Sequence, residues 1–417
     1  MPRDDSVQGA RGKILILVEN LPSPFDRRVW QEATTLHQHG YAVSIICPTG
    51  KGYEKTHEVI DGIHVYRYRL PLEAHGACSY VLEYGVALFW SFILSWRVLC
   101  TRGFDVIQAC NPPDLLFLIG GFFKLFCGKK FVFDHHDINP ELYEAKFGRR
   151  DFLYRLLLRL ERWTFRTADF SIATNQSYRR IAIERGGMAP AAVHVVRSGP
   201  QLDRLRRGPP NPLLKRGRPY LVGYVGVMGA QEGIDLLLQA VHHIVWDLGR
   251  TDVQFGLVGG GTSLARMQQM AIDLKIGDYV TFTGRVSDSA LVEMLNTADV
   301  CVNPDVAVEM NDKSTMNKIM EYMALAKPIV QFDLTEGRVS AQEASLYASK
   351  NDPIDFACQV ITLLDDPALR ERMGEYGRRR VETELEWRFE APKLLAAYAA
   401  LLASPQGAGL ANGGSKR

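Results

Sequence analysis

Lys318 and Glu321 stand three residues apart in the run from Asp312 to Val330, a spacing that puts an ammonium and a carboxylate on one face of a helix. Such a carboxylate accepts hydrogen bonds from two adjacent hydroxyls, as a ribose presents them, and the lysine neutralises phosphate charge. A solvated ion pair worth about 0.3 kcal/mol accounts for the same spacing. Gly226, Gly229 and Gly233 punctuate a turn whose backbone amides could approach an anion, and Gly259, Gly260 and Gly261 form a second turn of that kind. Tight turns alone also explain such glycines. His135, His136 and Asp137 offer proton transfer or, equally, a structural imidazole at a strand end. Asn20, Asp26, Arg27 and Arg28 follow the first apolar run. The two arginines suit a phosphate on a second substrate, or plain solvation near a helix start.

The elements that must position these groups form a repeated pattern. Nearly continuous apolar runs at 13–18, 41–48, 63–69, 105–110, 129–134, 169–174 and 193–196 predict strands buried on both faces of a parallel sheet. Helical periodicity between them, as at 27–39 and 151–168, completes a doubly wound unit. Residues 201–219, rich in proline and basic side chains, read as a linker. The pattern then restarts at 221–226, 253–259, 279–284, 299–304 and 328–332. The expected organisation is a first domain over 12–200, a second over 220–386, and a last helix at 387–403 returning to the first. Residues 1–11 and 404–417 are expected to be disordered. The fold class is α/β, with two Rossmann-like domains facing a cleft. Lys318 and Glu321 then follow strand 299–304, at the carboxyl edge where such sheets hold ligands.

A net charge of +2 argues against a general nucleic-acid binder. Seven cysteines (Cys47, Cys78, Cys100, Cys110, Cys127, Cys301 and Cys358) are scattered without a Cys-x-x-Cys pair, so neither a zinc knuckle nor a dithiol motif is supported. With no Asp-x-Asp either, no metal is expected. The odd cysteine count fits a reducing cytoplasm. The apolar run from Ile14 to Val18 is too short for a signal peptide. The longest uncharged apolar stretch, Tyr84 to Trp96, falls short of the roughly 20 residues that span a bilayer. Peripheral contact is another matter. Phe89, Trp90, Phe92, Ile93 and Trp96 form one apolar cluster, and Phe117, Phe122, Phe123 and Phe126 another. Between 148 and 166, Arg149, Arg150, Arg155, Arg159, Arg162 and Arg166 interleave with leucine and aromatic residues. Basic amphipathic helices of this kind lie on anionic membranes or simply cover a sheet, and the expectation is a cytoplasmic protein touching the inner face of the cell membrane.

Several segments, in this order, resemble glycosyltransferase family 4: LVEN (17–20) and DRRVWQEATTL (26–36), FVFDHHD (131–137), the Gly226 turn, FTGRV (282–286), ADVCVNP (298–304) and KIMEYMALAKPIV (318–330). Together they span nearly all of the chain between its ends. The variant carrying NPPDLL and KSTMNKIMEYMA is similar to transferases of bacterial polysaccharide assembly. The resemblance implies the GT-B fold, with the acceptor in the first domain and the donor in the second. It further implies a retaining transfer from a nucleotide-diphosphate sugar of the uridine or guanosine type to a glycan or polyprenyl-linked acceptor, without a cofactor. His136 and Glu321 become the catalytic positions, Glu321 gripping the ribose. Glu19, Asn20, Asp26, Arg27 and Asp137 fall where the family meets its substrates. The family's other glutamate falls on Lys313, and its basic pair beside the glycine turn falls on Val227 and Glu232. Diphosphate neutralisation is therefore assigned to Lys318, Lys313 and Arg285. A nucleotide-sugar epimerase of the same fold, or an inactive membrane-associated binding protein, remains the alternative.

Overall fold

A computed structural model describes residues 10–70 and 77–403; the ends expected to be disordered lie almost wholly outside the described residues. The chain divides into two compact units, one of residues 1–144, 149–196 and 391–417, the other of 145–148 and 197–390.

The first unit is built on eight strands: β1 (Lys13–Leu17), β2 (Ala42–Pro48), β3 (His57–Ile60), β4 (Ile63–Tyr68), β5 (Val106–Cys110), β6 (Lys130–His135), β7 (Phe170–Ala173) and β8 (Val193–Val195). Their order is β3-β4-β2-β1-β5-β6-β7-β8, parallel throughout except for the β3–β4 hairpin. The chain runs outward from β1 to one side and then returns to place β5 on the other, so the sheet reverses direction between β1 and β5. Helix Arg27–Gln38 follows β1 because Asp26 caps it, accepting from Val29 N at 3.1 Å, and because Val29, Ala33 and Leu36 form a buried stripe.

The second unit holds β9 (Tyr220–Val225), β10 (Val253–Val258), β11 (Val280–Gly284), β12 (Val300–Asn303), β13 (Ile329–Phe332) and β14 (Ser345–Ala348). All are parallel, in the order β11-β10-β9-β12-β13-β14. Here the reversal falls between β9 and β12. These two pair only at Val222 with Val300 and Gly223 with Cys301, then part. Beyond that point Tyr322 bridges them: its hydroxyl accepts from Val225 N at 2.9 Å and donates to Val302 O at 3.3 Å. A crevice at the carboxyl edge of two parting strands is where doubly wound sheets bind ligands.

Three expectations change. Strands β3 and β14 were not anticipated. Residues 201–219 are no linker but part of the second unit, where Leu205 is fully buried and Lys215 pairs with Asp299 at 2.8 Å. The apolar helix is longer than its uncharged run suggested, extending over Ala77–Thr101, and Leu82–Thr101 is long and apolar enough by composition to cross a membrane. One face of it nonetheless covers the first sheet, with Ala87, Ser91, Leu94, Ser95 and Val98 buried.

Candidate functional site

In the second unit the turn after β9 and the loop after β12 are knitted together. Gln231 O accepts from Val306 N at 3.1 Å and from Asn311 Nδ2 at 2.8 Å. Gly233 sits at φ +61° with its Cα so near Pro304 that a Cβ would lie 1.9 Å from the carbonyl oxygen, so only glycine closes this turn. The closure brings Glu232 and Asp305 to one place. Lys318, from the helix Asn317–Ala324, donates to Glu232 Oε2 at 2.6 Å and to Asp305 Oδ1 at 3.0 Å, and its ammonium lies 4.9 Å from the Tyr224 ring centre. Tyr224 OH donates to Glu232 Oε2 at 2.9 Å. Burial would favour a neutral lysine, but Asp305 and then Tyr224 and Glu232 hold it charged, well above the usual range.

This geometry corrects several readings. Lys318 and Glu321 do not pair with each other: Glu321 is engaged by Arg204, which also lies 3.7 Å from Asp288. Lys313 donates to Glu309 at 2.6 Å, an i,i+4 pair on a five-residue helix. Arg285 is exposed just past β11. The glycine turn does not offer its amides freely, since Gly226 N donates to Val258 O, Met228 N to Gly260 O and Gly229 N to Val227 O. Gly226 is required for packing, because a Cβ there would stand 2.3 Å from Tyr224 OH.

In the first unit His136 and Asp137 follow β6. Asn111 Oδ1 accepts from His136 N at 2.7 Å and Asp137 N at 3.2 Å, and Asn111 Nδ2 donates to Asp137 O and to Asp114. The Asn-Pro-Pro-Asp segment thus fixes the turn that presents the histidine. His136 Nε2 lies between Asp134 Oδ2 at 2.6 Å and Arg28 Nε at 3.1 Å: protonated it donates to the carboxylate, unprotonated it accepts from the guanidinium. Burial opposes the charged ring, but Asp134 outweighs it and raises the proton affinity of His136. Asp134 is itself fully buried among Arg28 at 2.9 Å, Gln108 at 3.1 Å and Cys110 at 3.7 Å. Arg28 also reaches Glu32 at 3.0 Å, so it serves this network and not a substrate phosphate. Cys110, Asp134 and His136 each place a donor atom within 4.8 Å of the others, a metal-like grouping invisible in the sequence spacing. The Arg28 guanidinium stands beside them and already supplies positive charge.

His135 is the structural one of the pair: fully buried between Phe133, Phe165 and Tyr178, it is pushed down to about 3 by burial and then by Arg185. Asp26 is a helix cap that also lies near enough to influence His136 and Asp137, whose acidity burial weakens. Asn20 and Arg27 are exposed at the same edge. Glu19, a buried carboxyl at the end of β1, is pushed up to about 8 by burial and by Glu83.

The apolar clusters are partly core. Phe123 is fully buried, and Phe92 packs edge-on against Phe122 and tilted against Phe123. Phe89, Trp90, Ile93, Trp96, Leu125 and Phe126 are exposed, and so are Phe152, Leu153 and Trp163 beside Arg155, Arg159, Arg162 and Arg166. Ring contacts from Trp96 to Phe122 and from Phe117 to Trp163 join the three helices that carry them.

Two doubly wound parallel-sheet units define the GT-B class. Solved structures agree: the sucrose-phosphate synthase of Thermosynechococcus elongatus superimposes with a TM-score of 0.79 at 18% identity, covering 94% of this chain and 100% of that one. HepE of Anabaena, in complex with UDP and glucose, gives 0.70 at 14% identity over 93% and 100%. The family model described as Glycosyltransferase Family 4 matches residues 26–204, and that described as Glycosyl transferases group 1 matches 219–366, together more than three quarters of the chain. The chain belongs to the family 4 glycosyltransferases. A D-inositol 3-phosphate glycosyltransferase from Thermomonospora curvata is 29% identical over 252 residues, 55% of this chain. The match spans only 57% of that relative's length.

Proposed function

We propose that the protein moves a sugar, with retention of configuration, from a nucleotide-diphosphate donor of the uridine or guanosine type to a glycan or lipid-linked acceptor in cell-surface polysaccharide synthesis. The observation that supports this most is Lys318, a charged and nearly buried ammonium at the crevice where β9 and β12 part. In this reading it meets the diphosphate, while Glu321, oriented by Arg204, accepts from the ribose. The Anabaena protein's complex with UDP supports a uridine nucleotide. His136, held between Asp134 and Arg28, faces the transferring sugar, and Asn20, Asp26, Arg27 and Asp137 meet the acceptor. The leaving diphosphate helps take the acceptor proton, so the protein contributes positioning and electrostatic stabilisation.

The test is a screen of UDP- and GDP-sugars against oligosaccharide and polyprenyl-diphosphate acceptors. Acceptor-dependent release of nucleoside diphosphate, with the donor's anomeric configuration kept in the product, is expected. Epimerised donor without acceptor would make the protein an epimerase, and nucleotide binding without turnover a binding protein. The exposed aromatic and arginine faces support membrane contact. The protein is expected to sediment with anionic liposomes at low salt and to be released at about 1 M salt, where the Debye length shrinks to about 3 Å. Recovery in the supernatant regardless of liposomes would refute it.

A further inference from the structure

Lys318, Glu232 and Asp305 raise a problem of charge that the donor reading, on which this inference rests, leaves open. A diphosphate arriving at the β9–β12 crevice meets an ammonium already held by two carboxylates, at 2.6 and 3.0 Å. Those carboxylates would repel it. Asp305 is 1% exposed, and its Oδ2 has no hydrogen-bond partner among the described residues. Such an atom is costly to leave so. Glu232 lies close enough to share a hydrogen bond with it.

We propose that these three residues form a proton-coupled phosphate latch: the diphosphate draws the Lys318 ammonium to itself, and the two carboxylates close on one proton taken from solution. The groups facing Asp305 from the surrounding elements are Lys318 of the helix, Tyr224 of β9 and Glu232 of the turn, with Tyr322 behind Lys318. Asp305 is already pushed up to about 7 by burial, with Lys318 opposing and Glu232 reinforcing. Once Lys318 turns to phosphate its opposition weakens and the proton affinity rises further. The bound state then holds more protons than the free state, so nucleotide affinity weakens as pH rises above about 7. The latch explains how a chain with Val227 and Glu232 in place of a basic pair accommodates a diphosphate.

Calorimetric titration of UDP and GDP at about pH 8, where their phosphates are fully ionised, in two buffers of unequal ionisation enthalpy reads the proton directly. The parent protein is expected to take up more than about half a proton per nucleotide, and its Kd to rise by up to about tenfold per pH unit. Asp305→Asn abolishes the uptake and flattens that dependence. Heat independent of buffer in the parent protein, which needs no variant, overturns the latch while leaving the donor reading intact. If neither nucleotide binds, both fall.

Discussion

Glu19→Gln is expected to melt about 5 °C above the parent protein at pH 8 and within about 1 °C of it at pH 5. Glu19 is 3% exposed at the end of β1, and its Oε1 has no hydrogen-bond partner among the described residues. Burial, reinforced by Glu83, pushes its carboxyl from 4.5 up to about 8. The folded state therefore binds this proton more tightly than the unfolded chain does. Below pH 4.5 the acid is protonated in both states and folding has the full benefit. Between 4.5 and 8 each pH unit removes up to about 1.4 kcal/mol, and above the folded value the loss is complete. Relaxation around the site brings the total to about 2 kcal/mol, which in a unit of this size corresponds to the stated shift. Glutamine has nothing to ionise, so its advantage appears only as pH rises. Calorimetric scans at both pH values check this; an equal shift at each, or a fall at pH 8, would show that burial is not the cause.

The second large effect is a failure of additivity. At neutral pH, Asp134→Asn is expected to cost about 2 kcal/mol, Glu32→Gln less than about 1, and the double variant about 5. Arg28 is buried between these carboxylates, at 2.9 Å from Asp134 and 3.0 Å from Glu32. Desolvation and the charge of Asp134 push the Glu32 carboxyl up, whereas Arg28 and His136 overcome burial and hold Asp134 down, so Asp134 carries the counter-charge. Removing the charge of Asp134 lets Glu32 ionise and take over the guanidinium. Removing Glu32 loses a group that was already neutral. Only the double variant strands a buried cation. Urea unfolding of the four proteins closes the cycle, and a double variant equal to the sum of the singles within about 0.5 kcal/mol would refute the exchange.

Most of the fold was legible because buried parallel strands are written as continuous apolar runs. The two missed strands lack that signature. In β3, His57-Glu-Val-Ile60 is an edge strand with alternate residues exposed. Its hairpin signal was present all the same, in Asp61-Gly62, both at positive φ. In β14, Ser345 to Ala348 is four residues long and only buried at its ends. At the candidate site the place of Lys318 at the sheet edge was legible, and its partners were not. Spacing paired Lys318 with Glu321, whereas the chain brings Lys318 to Glu232, 86 residues earlier. Local spacing did hold the answer for Lys313 and Glu309, an i,i+4 pair. It carried nothing of Arg28 with Asp134, which the packing of the first helix on the sheet brings together.

The last helix, Trp387–Ala403, begins in the second unit and from Ala391 belongs to the first. There Tyr398 OH donates to Gln108 Oε1 of β5, and its ring packs edge-on against Phe170 at 5.6 Å. Through Gln108 it joins the network that orients His136. On the ribosome, where domains ordinarily finish in the order they emerge, this reverses the sequence of events. The second unit, continuous from 197 to 390 apart from residues 145–148, is complete before the first has received its closing helix. A chain synthesised only to residue 390 therefore holds every residue of the second unit while Gln108 of the first still awaits Tyr398, so the unit translated first is the last to be sealed.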